Sequence, residues 1–360
     1  MNKKWLVDLV TPLAVWMSKY PIPFFRILVK KTIFEQFVGG EDLQESQVAI
    51  DKLWSGRVLT VLDYGAEGKT AEEDLDTAEQ QFLEAVTFAA SNESVPVVSI
   101  KISALSQNRL LELSQSAQPL REEDQALLKR VRERVDSICN QAYQMGVKIF
   151  IDAEESWIQD PIDEMVDGMM ERYNHGEVVV YQTFQMYRND RLDFLKSSYQ
   201  RSMDLGYKLG AKIVRGAYLE KERLRAEEEG YPSPIHNTKA ATDQDYLSAL
   251  EFCISRYDQI ASCAATHNIQ SCLYQAQLIG ERDLPRNHPH LNFCQLYGMS
   301  DQITYNLAAN GYNVAKYVVY GEVRELVPYL SRRASENTAV QGEYGREYKL
   351  IREEMNRRGF

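Results

Sequence analysis

Eight short runs rich in β-branched residues recur from residue 58 onward and alternate with stretches of helical periodicity. The runs lie at 58–64, 95–103, 147–155, 178–186, 212–218, 261–268, 291–297 and 313–320. Strands that alternate with helices form parallel sheets, because each helix returns the chain to the start of the next strand. Eight such units match a (β/α)8 barrel, which typically takes about 250 residues. We therefore predict an α/β fold, a distorted (β/α)8 TIM barrel, with a doubly wound sheet as the alternative.

The predicted barrel spans residues 56–340, and a shorter segment flanks it on each side. Residues 1–55 are rich in aromatic side chains and are interrupted at Pro21, at Pro23 and at the Gly39–Gly40 pair. This pattern predicts an N-terminal helical segment that packs on the barrel. Residues 341–360 carry apolar side chains at helical spacing and predict a C-terminal helix.

Composition excludes several classes of function. The chain carries 41 basic and 52 acidic residues, a net charge of −11, and it has no strongly basic stretch, so nucleic-acid binding is not expected. The five cysteines lack CxxC spacing, which indicates a reducing compartment and no structural zinc. The N-terminus has no clean export signal, and no uncharged run is long enough to span a membrane. We expect a cytoplasmic protein without a metal.

Each of the eight runs begins apolar and ends on polar side chains. In (β/α)8 barrels the carboxyl ends of the strands form the active-site face, so polar groups at all eight ends favour an enzyme over a scaffold. The polar strand ends are Asp63, Lys101, Asp152 with Glu154 and Glu155, Gln182 with Gln185, Arg215 with Tyr218, Thr266 to Asn268, Gln295 with Tyr297, and Tyr320.

After the last run, residues 316–337 predict a strand, a glycine turn and a helix with two adjacent arginines. Tyr329, Arg332, Arg333 and Glu336 share one flank of that helix, because they are three or four positions apart. Arginine pairs bind carboxylates or phosphates through forked hydrogen bonds. The same spacing also occurs at solvated helix ends that carry salt bridges.

Two further patterns bear on function. No GxGxxG sequence is present, which disfavours a Rossmann dinucleotide site. Residues 219–233 form a charge run that predicts a solvated helix, with a mobile lid over the barrel mouth as the alternative.

Seven segments, in one order along the barrel, resemble the proline dehydrogenase family. These are the FAD-dependent barrel enzymes that oxidise L-proline, and the likeness is to their monofunctional, eukaryotic-type branch. The segments are VSIKISAL (98–105), FIDAEES (150–156), VYQTFQMY (180–187), AKIVRGAYLEKER (211–223), ATHN (265–268), FCQLYGMSD (293–301) and YLSRRASEN (329–337).

The resemblance implies roles for the residues that would bind the substrate. Arg332 and Arg333 match the pair that clamps the substrate carboxylate, and Lys101 matches a lysine that assists them. For Lys101 the alternative is a structural pairing with Asp152 or Glu154. Asp152 matches an aspartate that orients a pocket tyrosine, with an ordinary strand-end hydrogen bond as the alternative. The residues that match the walls around the pyrrolidine ring are Tyr218, Leu296 and Tyr317. Relatives that oxidise hydroxyproline carry a smaller residue in place of the last of these, so proline is the expected substrate.

The resemblance also implies a set of flavin-binding residues. Gln182 is expected to face the polar edge of the isoalloxazine, and Lys212 occupies the position of the family's arginine near flavin N5. A lysine cannot reproduce the fork of an arginine. Val214, Arg215, Gly216 and Ala217 are expected to continue the strand that lines the flavin. The residues expected at the phosphates and the adenosine are Lys239, Thr242, Thr266, His267 and Asn268, with a helix that starts at Thr242 adding its positive pole. Glu336, grouped with the cofactor site, is expected to order the arginines by ion pairing.

As the resemblance implies, hydride passes from carbon 5 of proline to flavin N5, giving Δ1-pyrroline-5-carboxylate in the first step of proline degradation. The electrons then pass to a quinone. Quinones lie in membranes, so a peripheral contact with the inner face of the membrane is an open alternative to a purely cytoplasmic protein. Two other functions remain open: a Schiff-base lyase or aldolase that uses Lys101 as its nucleophile, and a metabolite-binding barrel without catalysis.

Overall fold

Eight parallel strands close into a barrel in the computed structural model, which describes residues 34–65, 70–116, 119–327, 329–330, 332–333, 352 and 354–358. The ninth and last described strand in chain order closes the ring, because it pairs with both the eighth and the second strand. The predicted (β/α)8 barrel is therefore confirmed, because a doubly wound sheet would keep two open edges. The barrel strands are β2 (Leu59–Tyr64), β3 (Val97–Ile100), β4 (Lys148–Ile151), β5 (Val180–Gln185), β6 (Leu209–Val214), β7 (Ile260–Ala265), β8 (Leu291–Leu296) and β9 (Asn313–Tyr320).

A further strand, β1 (Val38–Gly40), lies outside the ring and pairs in parallel with the end of β9. It continues the sheet beyond the Leu296–Tyr317 pair, where β8 leaves β9. Gly298 follows β8 with a φ of +74°, and a Cβ at this position would lie 1.9 Å from the Gln36 carbonyl oxygen. Glycine thus lets the two backbones pass in contact. The segment predicted to be helical, residues 1–55, therefore contains a short strand, and residues 1–33 lie outside the described part.

Helices surround the barrel and connect its strands. At the start of the helix Lys239–Ile254, the Thr238 hydroxyl accepts a hydrogen bond from the Ala241 backbone N–H at 3.2 Å, so this helix begins one turn before the predicted start at Thr242. The described helices are α1 (Glu35–Phe37), α2 (Leu43–Ser55), α3 (Glu72–Ala90), α4 (Asn108–Gln115), α5 (Glu122–Met145), α6 (Ser156–Tyr173), α7 (Arg191–Leu205), α8 (Leu219–Glu229), α9 (Lys239–Ile254), α10 (Ile269–Glu281) and α11 (Asp301–Ala309).

Successive residues of each strand alternate between the barrel interior and the layer under the helices. In β5, Val180 and Phe184 belong to the apolar cluster shared with the helices, whereas Tyr181 belongs to the cluster inside the barrel. Tyr181 packs there against Phe150, with 5.0 Å between the ring centroids. This alternation decides which polar residues can reach a site inside the barrel.

The five cysteines are free thiols, and all of them are buried. Across the described ranges, no helix has both the length and the apolar character needed to cross a bilayer. The same ranges contain no group of three side chains arranged to hold a metal ion.

Candidate active site

Asp152 lies just after β4 and joins four neighbouring side chains, Ser99, Lys101, Lys212 and Tyr317, at the carboxyl end of the barrel. The Lys101 ammonium is 3.3 Å from its carboxylate, and the Lys212 ammonium donates to its other oxygen. The Tyr317 hydroxyl donates to the same carboxylate at 2.8 Å and lies 3.0 Å from the Ser99 hydroxyl. Strands β3, β4, β6 and β9 are thereby connected through one partly buried carboxylate.

The charge balance of this cluster determines its protonation. Burial raises the pKa of Asp152, but the charges of Lys212 and Lys101 outweigh burial, so the pKa lies below its ordinary value. Lys101 also pairs with Asp63, at 3.4 Å. Burial raises the pKa of the Tyr317 phenol well above its ordinary value. The cluster is therefore an ionised carboxylate between two ammonium groups, with a neutral tyrosine as hydrogen-bond donor.

Aromatic rings enclose Lys212 inside the barrel. Its ammonium lies 5.4 Å from the centre of the Phe150 ring and 5.2 Å from that of Tyr317. Aromatic faces stabilise such a cation when water is excluded. The position expected near the flavin thus carries a fixed, buried positive charge.

Arg215 follows β6 and bridges three elements. Its guanidinium donates to Asp243 in α9 at 2.7 Å, to the Thr266 hydroxyl at 2.8 Å and to the Ser271 hydroxyl in α10 at 3.0 Å. Asp243 also pairs with Lys239 at 2.5 Å. Four of the residues expected at the cofactor therefore lie together here: Arg215, Lys239, Thr242 and Thr266.

The N-termini of α9 and α10 lie in the same region. Asn268 caps α10, because its side chain accepts a hydrogen bond from the Ser271 backbone N–H at 3.0 Å. Thr242, with 8% of its surface exposed, lies in the first turn of α9. Two helix N-termini beside a lysine and an arginine suit a phosphate-bearing ligand.

His267 is partly buried between β7 and the segment after β8. Its Nδ1 lies 2.9 Å from the Ser300 hydroxyl, and its Nε2 accepts from the Leu296 backbone N–H at 3.4 Å. Burial, with the positive charges of Lys316 and Arg333, lowers the pKa of His267 to about 3. The imidazole is therefore neutral, with its proton on Nδ1, and it fixes the end of β8 where Leu296 lies.

The two arginines of the C-terminal motif lie away from bulk water. Arg333 is 7% exposed, its guanidinium lies 5.3 Å from the centre of the Tyr329 ring, and its charge acts on His267. Arg332 is partly buried, and both residues have helical backbone, as predicted. Glu336, the expected ion-pair partner of the arginines, lies outside the described residues.

One predicted site residue lies on the wrong side of its strand. The Gln182 side chain donates to Asp163 in α6 at 2.9 Å, so it points toward the helices and away from the barrel mouth. Gln185, three positions later, is on the inward face: its amide donates to the Glu154 carbonyl at 2.7 Å and accepts from the Ala217 backbone N–H at 3.2 Å. An odd offset along a strand exchanges its two faces, and the prediction for Gln182 is corrected accordingly.

Strand β6 ends earlier than predicted. Val214 is its last residue, and Arg215, Gly216 and Ala217 follow the strand instead of extending it. Gly216 has a φ of +141°, and a Cβ there would lie 2.4 Å from the Tyr187 ring. This glycine turns the chain at the barrel mouth and brings Tyr218 to the position before α8.

Three further polar residues lie at or beside the cluster, although none of them was expected to bind substrate or cofactor. Ser99 and Asp63 contact the Asp152 cluster directly, and Glu154 accepts from the Ser103 backbone N–H at 2.9 Å. Burial raises the pKa of Glu154 to about 7. The alternation of side chains along a strand could have identified Ser99, because Ser99 lies two residues before Lys101 and therefore on the same face.

The charge run of residues 219–233 forms a helix that is anchored at the mouth. In α8, Glu222 is fully buried and accepts from the Ser156 backbone N–H at 2.7 Å and from its hydroxyl at 2.6 Å. Lys221 pairs with Glu155 at 2.8 Å. The simple solvated helix is therefore an incomplete description, because one acidic side chain is fully buried against α6.

A family model described as proline dehydrogenase matches residues 46–346. The carbapenem antibiotics biosynthesis protein CarD of Pectobacterium carotovorum subsp. carotovorum is 33% identical over 323 residues, which cover 89% of this chain and 83% of that protein. The mitochondrial proline dehydrogenase 1 of Dictyostelium discoideum is 29% identical over 384 residues. The match covers 94% of this chain and 67% of that protein.

Among solved structures, the fold is similar to proline utilization A (PutA) from Bdellovibrio bacteriovorus, inactivated by N-propargylglycine. The TM-score is 0.81 at 21% identity, and the match covers 94% of this chain. This chain spans only 37% of the length of that structure, so the likeness concerns one part of a longer protein.

Proposed function

This chain belongs to the proline dehydrogenase family, and we propose that it oxidises L-proline to Δ1-pyrroline-5-carboxylate with FAD as cofactor and a quinone as final electron acceptor. The observation that carries the proposal is the cluster at one barrel end. There Lys101 and Lys212 pair with Asp152, and the largely buried Arg333 acts through its charge on His267, which follows β7.

The residues around β6 and β7 fit a flavin dinucleotide. A pyrophosphate needs cations and unpaired backbone N–H groups, and this region offers Arg215, Lys239 and the N-termini of α9 and α10. An isoalloxazine needs polar partners at its edge, for which Lys212 and Gln185 face inward. The bound flavin would supply the two-electron acceptor, which no side chain can provide.

The carboxylate of proline would be held by the cations at the mouth. Arg332 and Arg333 can bind it through forked hydrogen bonds, and Lys101 adds a third positive charge. The net positive charge offsets the cost of removing the carboxylate from water. Leu296, Tyr218 and Tyr317 would form the apolar walls that fix the orientation of the ring and exclude water.

Proton transfer requires little from the protein. Asp152 is a weak base, because the two lysines lower its pKa, and its role is to keep Lys101, Lys212 and Tyr317 in place. The substrate amine would lose its proton to water before the ring is oxidised. Starting from this free amine, the oxidation removes a hydride from carbon 5 and a proton from the nitrogen, and a C=N bond between these two atoms forms in the product.

The ion pairs of Lys101 argue against the Schiff-base alternative. A lysine nucleophile must lose its proton, whereas carboxylates at 3.4 and 3.3 Å stabilise the ammonium form. We also propose a cytoplasmic location, with a peripheral membrane contact for quinone reduction. The buried free thiols are compatible with a reducing compartment.

A visible spectrum tests the function directly. The purified chain should carry a flavin absorption band that L-proline bleaches without oxygen and that a soluble quinone restores. Colourless protein that takes up no FAD would refute the cofactor, and a yellow protein that proline leaves unchanged would refute the substrate.

Arg333→Ala separates the two sites. We expect the KM for proline to rise about a hundredfold, because a charge-assisted pair with the carboxylate is lost, while the flavin content stays that of the wild type. Arg324→Ala, an exposed arginine nearby in sequence, is the control. An equal loss of flavin and of proline affinity would assign Arg333 to the cofactor.

A further inference from the structure

A cavity opens at the amino end of the barrel, opposite the cluster around Asp152. Its volume is about 190 Å³. Leu59, Lys148 and Asn313 line it, and each is the first residue of its strand. The cavity therefore lies below the barrel, where no residue of the proposed reaction is found.

The inner part of this cavity is apolar and extends into the barrel. Val61, Val97, Ala315, Tyr181 and Phe150 line it, and all of them belong to the interior cluster. Phe150 separates the two ends, because Lys212 lies 5.4 Å from the centre of its ring. A molecule in the cavity would contact this wall without entering the upper site.

The rim of the cavity carries one cation. Within the described ranges, the Lys148 ammonium makes no hydrogen bond or ion pair, and neither does the Asn287 side chain, although both line the cavity. Asn292 and Asn313 use their amides to hold neighbouring carbonyls. Burial lowers the pKa of Lys148, which Glu177 only partly offsets. An anionic group at the rim would compensate this charge.

We propose that this cavity binds a small monocarboxylate with its acid group at Lys148 and its apolar body in the barrel. An apolar cavity of about 150 Å³ is known to hold a benzene molecule, so this one has room for a six-carbon chain. The single cation at an otherwise apolar site selects an acid over the neutral alcohol of the same length.

Hexanoate and 1-hexanol are the probes, titrated calorimetrically into the flavin-loaded full chain. Hexanoate should bind about tenfold more tightly than hexanol, and Lys148→Met should remove that difference. The control Lys208→Met, a partly buried lysine that does not line the cavity, should change hexanoate affinity less than twofold. If Lys148→Met and Lys208→Met weaken hexanoate binding equally, the loss reflects general electrostatic attraction and the proposed site is refuted.

Two further measurements locate the site. Saturating proline should leave hexanoate binding intact, and displacement would place hexanoate in the upper site instead. Ala315→Leu fills the cavity from β9 while Lys148 stays in place, so binding of both probes should be lost at an unchanged melting temperature. Retained binding in that variant, or no binding to the wild type, overturns the proposal.

Discussion

The two ends of the barrel differ in how they pair their buried and partly buried lysines. At the carboxyl end, Lys101 and Lys212 share the Asp152 carboxylate, and Lys316 pairs with Asp301 at 2.8 Å. At the amino end, Lys148 faces a largely apolar cavity and pairs with no carboxylate among the described residues. One end has its charges fixed before a ligand arrives, whereas the other has a cation that only a ligand would neutralise.

The difference indicates that the barrel concentrates the paired charges of its lysines at the carboxyl end. A buried ion pair contributes little net stability, but removing one partner is costly because the other charge stays buried. The carboxyl end therefore depends on each member of its cluster. The amino end should tolerate loss of its lysine, and the two ends can be compared by removing one charge at a time.

Asp152→Ala should have the largest effect, because it leaves Lys101 and Lys212 without their shared partner. We expect the free energy of unfolding to fall by about 3–5 kcal/mol, together with loss of proline oxidation. Urea unfolding of the flavin-free chain measures the first, and flavin bleaching by proline the second.

Asp193→Ala removes an exposed carboxylate from α7 and serves as the control, with unchanged stability expected. If Asp152→Ala unfolds at the same urea concentration as Asp193→Ala, the lysines at the carboxyl end need no carboxylate partner for stability. The contrast between the two ends would then be lost.

Glu154→Gln should alter how stability depends on pH. Burial raises the pKa of Glu154 to about 7, so the folded chain retains a proton that the unfolded chain releases above about pH 4.5. Stability is therefore lost as pH rises from about 4.5 to 7, by about 3 kcal/mol in total. The variant cannot titrate, so the difference between its unfolding free energy and that of the wild type should change by this amount.

His267 contributes with the opposite sign, because its pKa is lowered to about 3 and only the unfolded chain gains its proton below about pH 6.5. Subtracting the variant from the wild type cancels this term. Glu133→Gln, which changes an exposed residue of α5, is the matched control. A Glu154→Gln difference that stays constant from pH 4.5 to 8 would contradict burial as the cause.

The sequence was sufficient for the barrel because its signals are local and repeated. Each β-branched run predicts a strand independently, and an error in one, such as the end of β6 near Arg215, leaves the topology unchanged. The arginine pair was recognisable for the same reason, since helical spacing places Tyr329, Arg332 and Arg333 together.

The strand faces were less accessible to sequence reasoning. Gln182 and Gln185 are both polar residues of one strand, and only the register of the barrel determines that the second points inward. The joint contact of Ser99, Lys101 and Lys212 with one carboxylate also depends on how three strands are staggered. No pattern within a single segment contains that information.

Tyr317→Phe should have a smaller effect than loss of a charge. It removes a hydroxyl that bonds to Asp152 at 2.8 Å and lies 3.0 Å from Ser99, which should cost about 1–2 kcal/mol of stability and raise the KM for proline severalfold. Tyr320→Phe is the matched control, since that buried hydroxyl has no hydrogen-bond partner within the described ranges. Equal unfolding free energies for the two variants would show that the Tyr317 hydroxyl contributes nothing to the cluster.

Lys148→Met should have the smallest effect and tests the amino end. Removing a half-buried cation without an ion-pair partner should leave stability unchanged or raise it by up to about 1 kcal/mol, whereas Lys212→Met should lower it because Asp152 then loses a partner. Because the pKa of Lys148 is lowered, the penalty for its charge is present below the folded-state pKa and disappears as pH rises through it. Any advantage of Lys148→Met in urea unfolding should therefore shrink from pH 7 to pH 10. A variant that is less stable than the wild type at pH 7 would show that Lys148 already has a stabilising partner, and the two ends of the barrel would then not differ in kind.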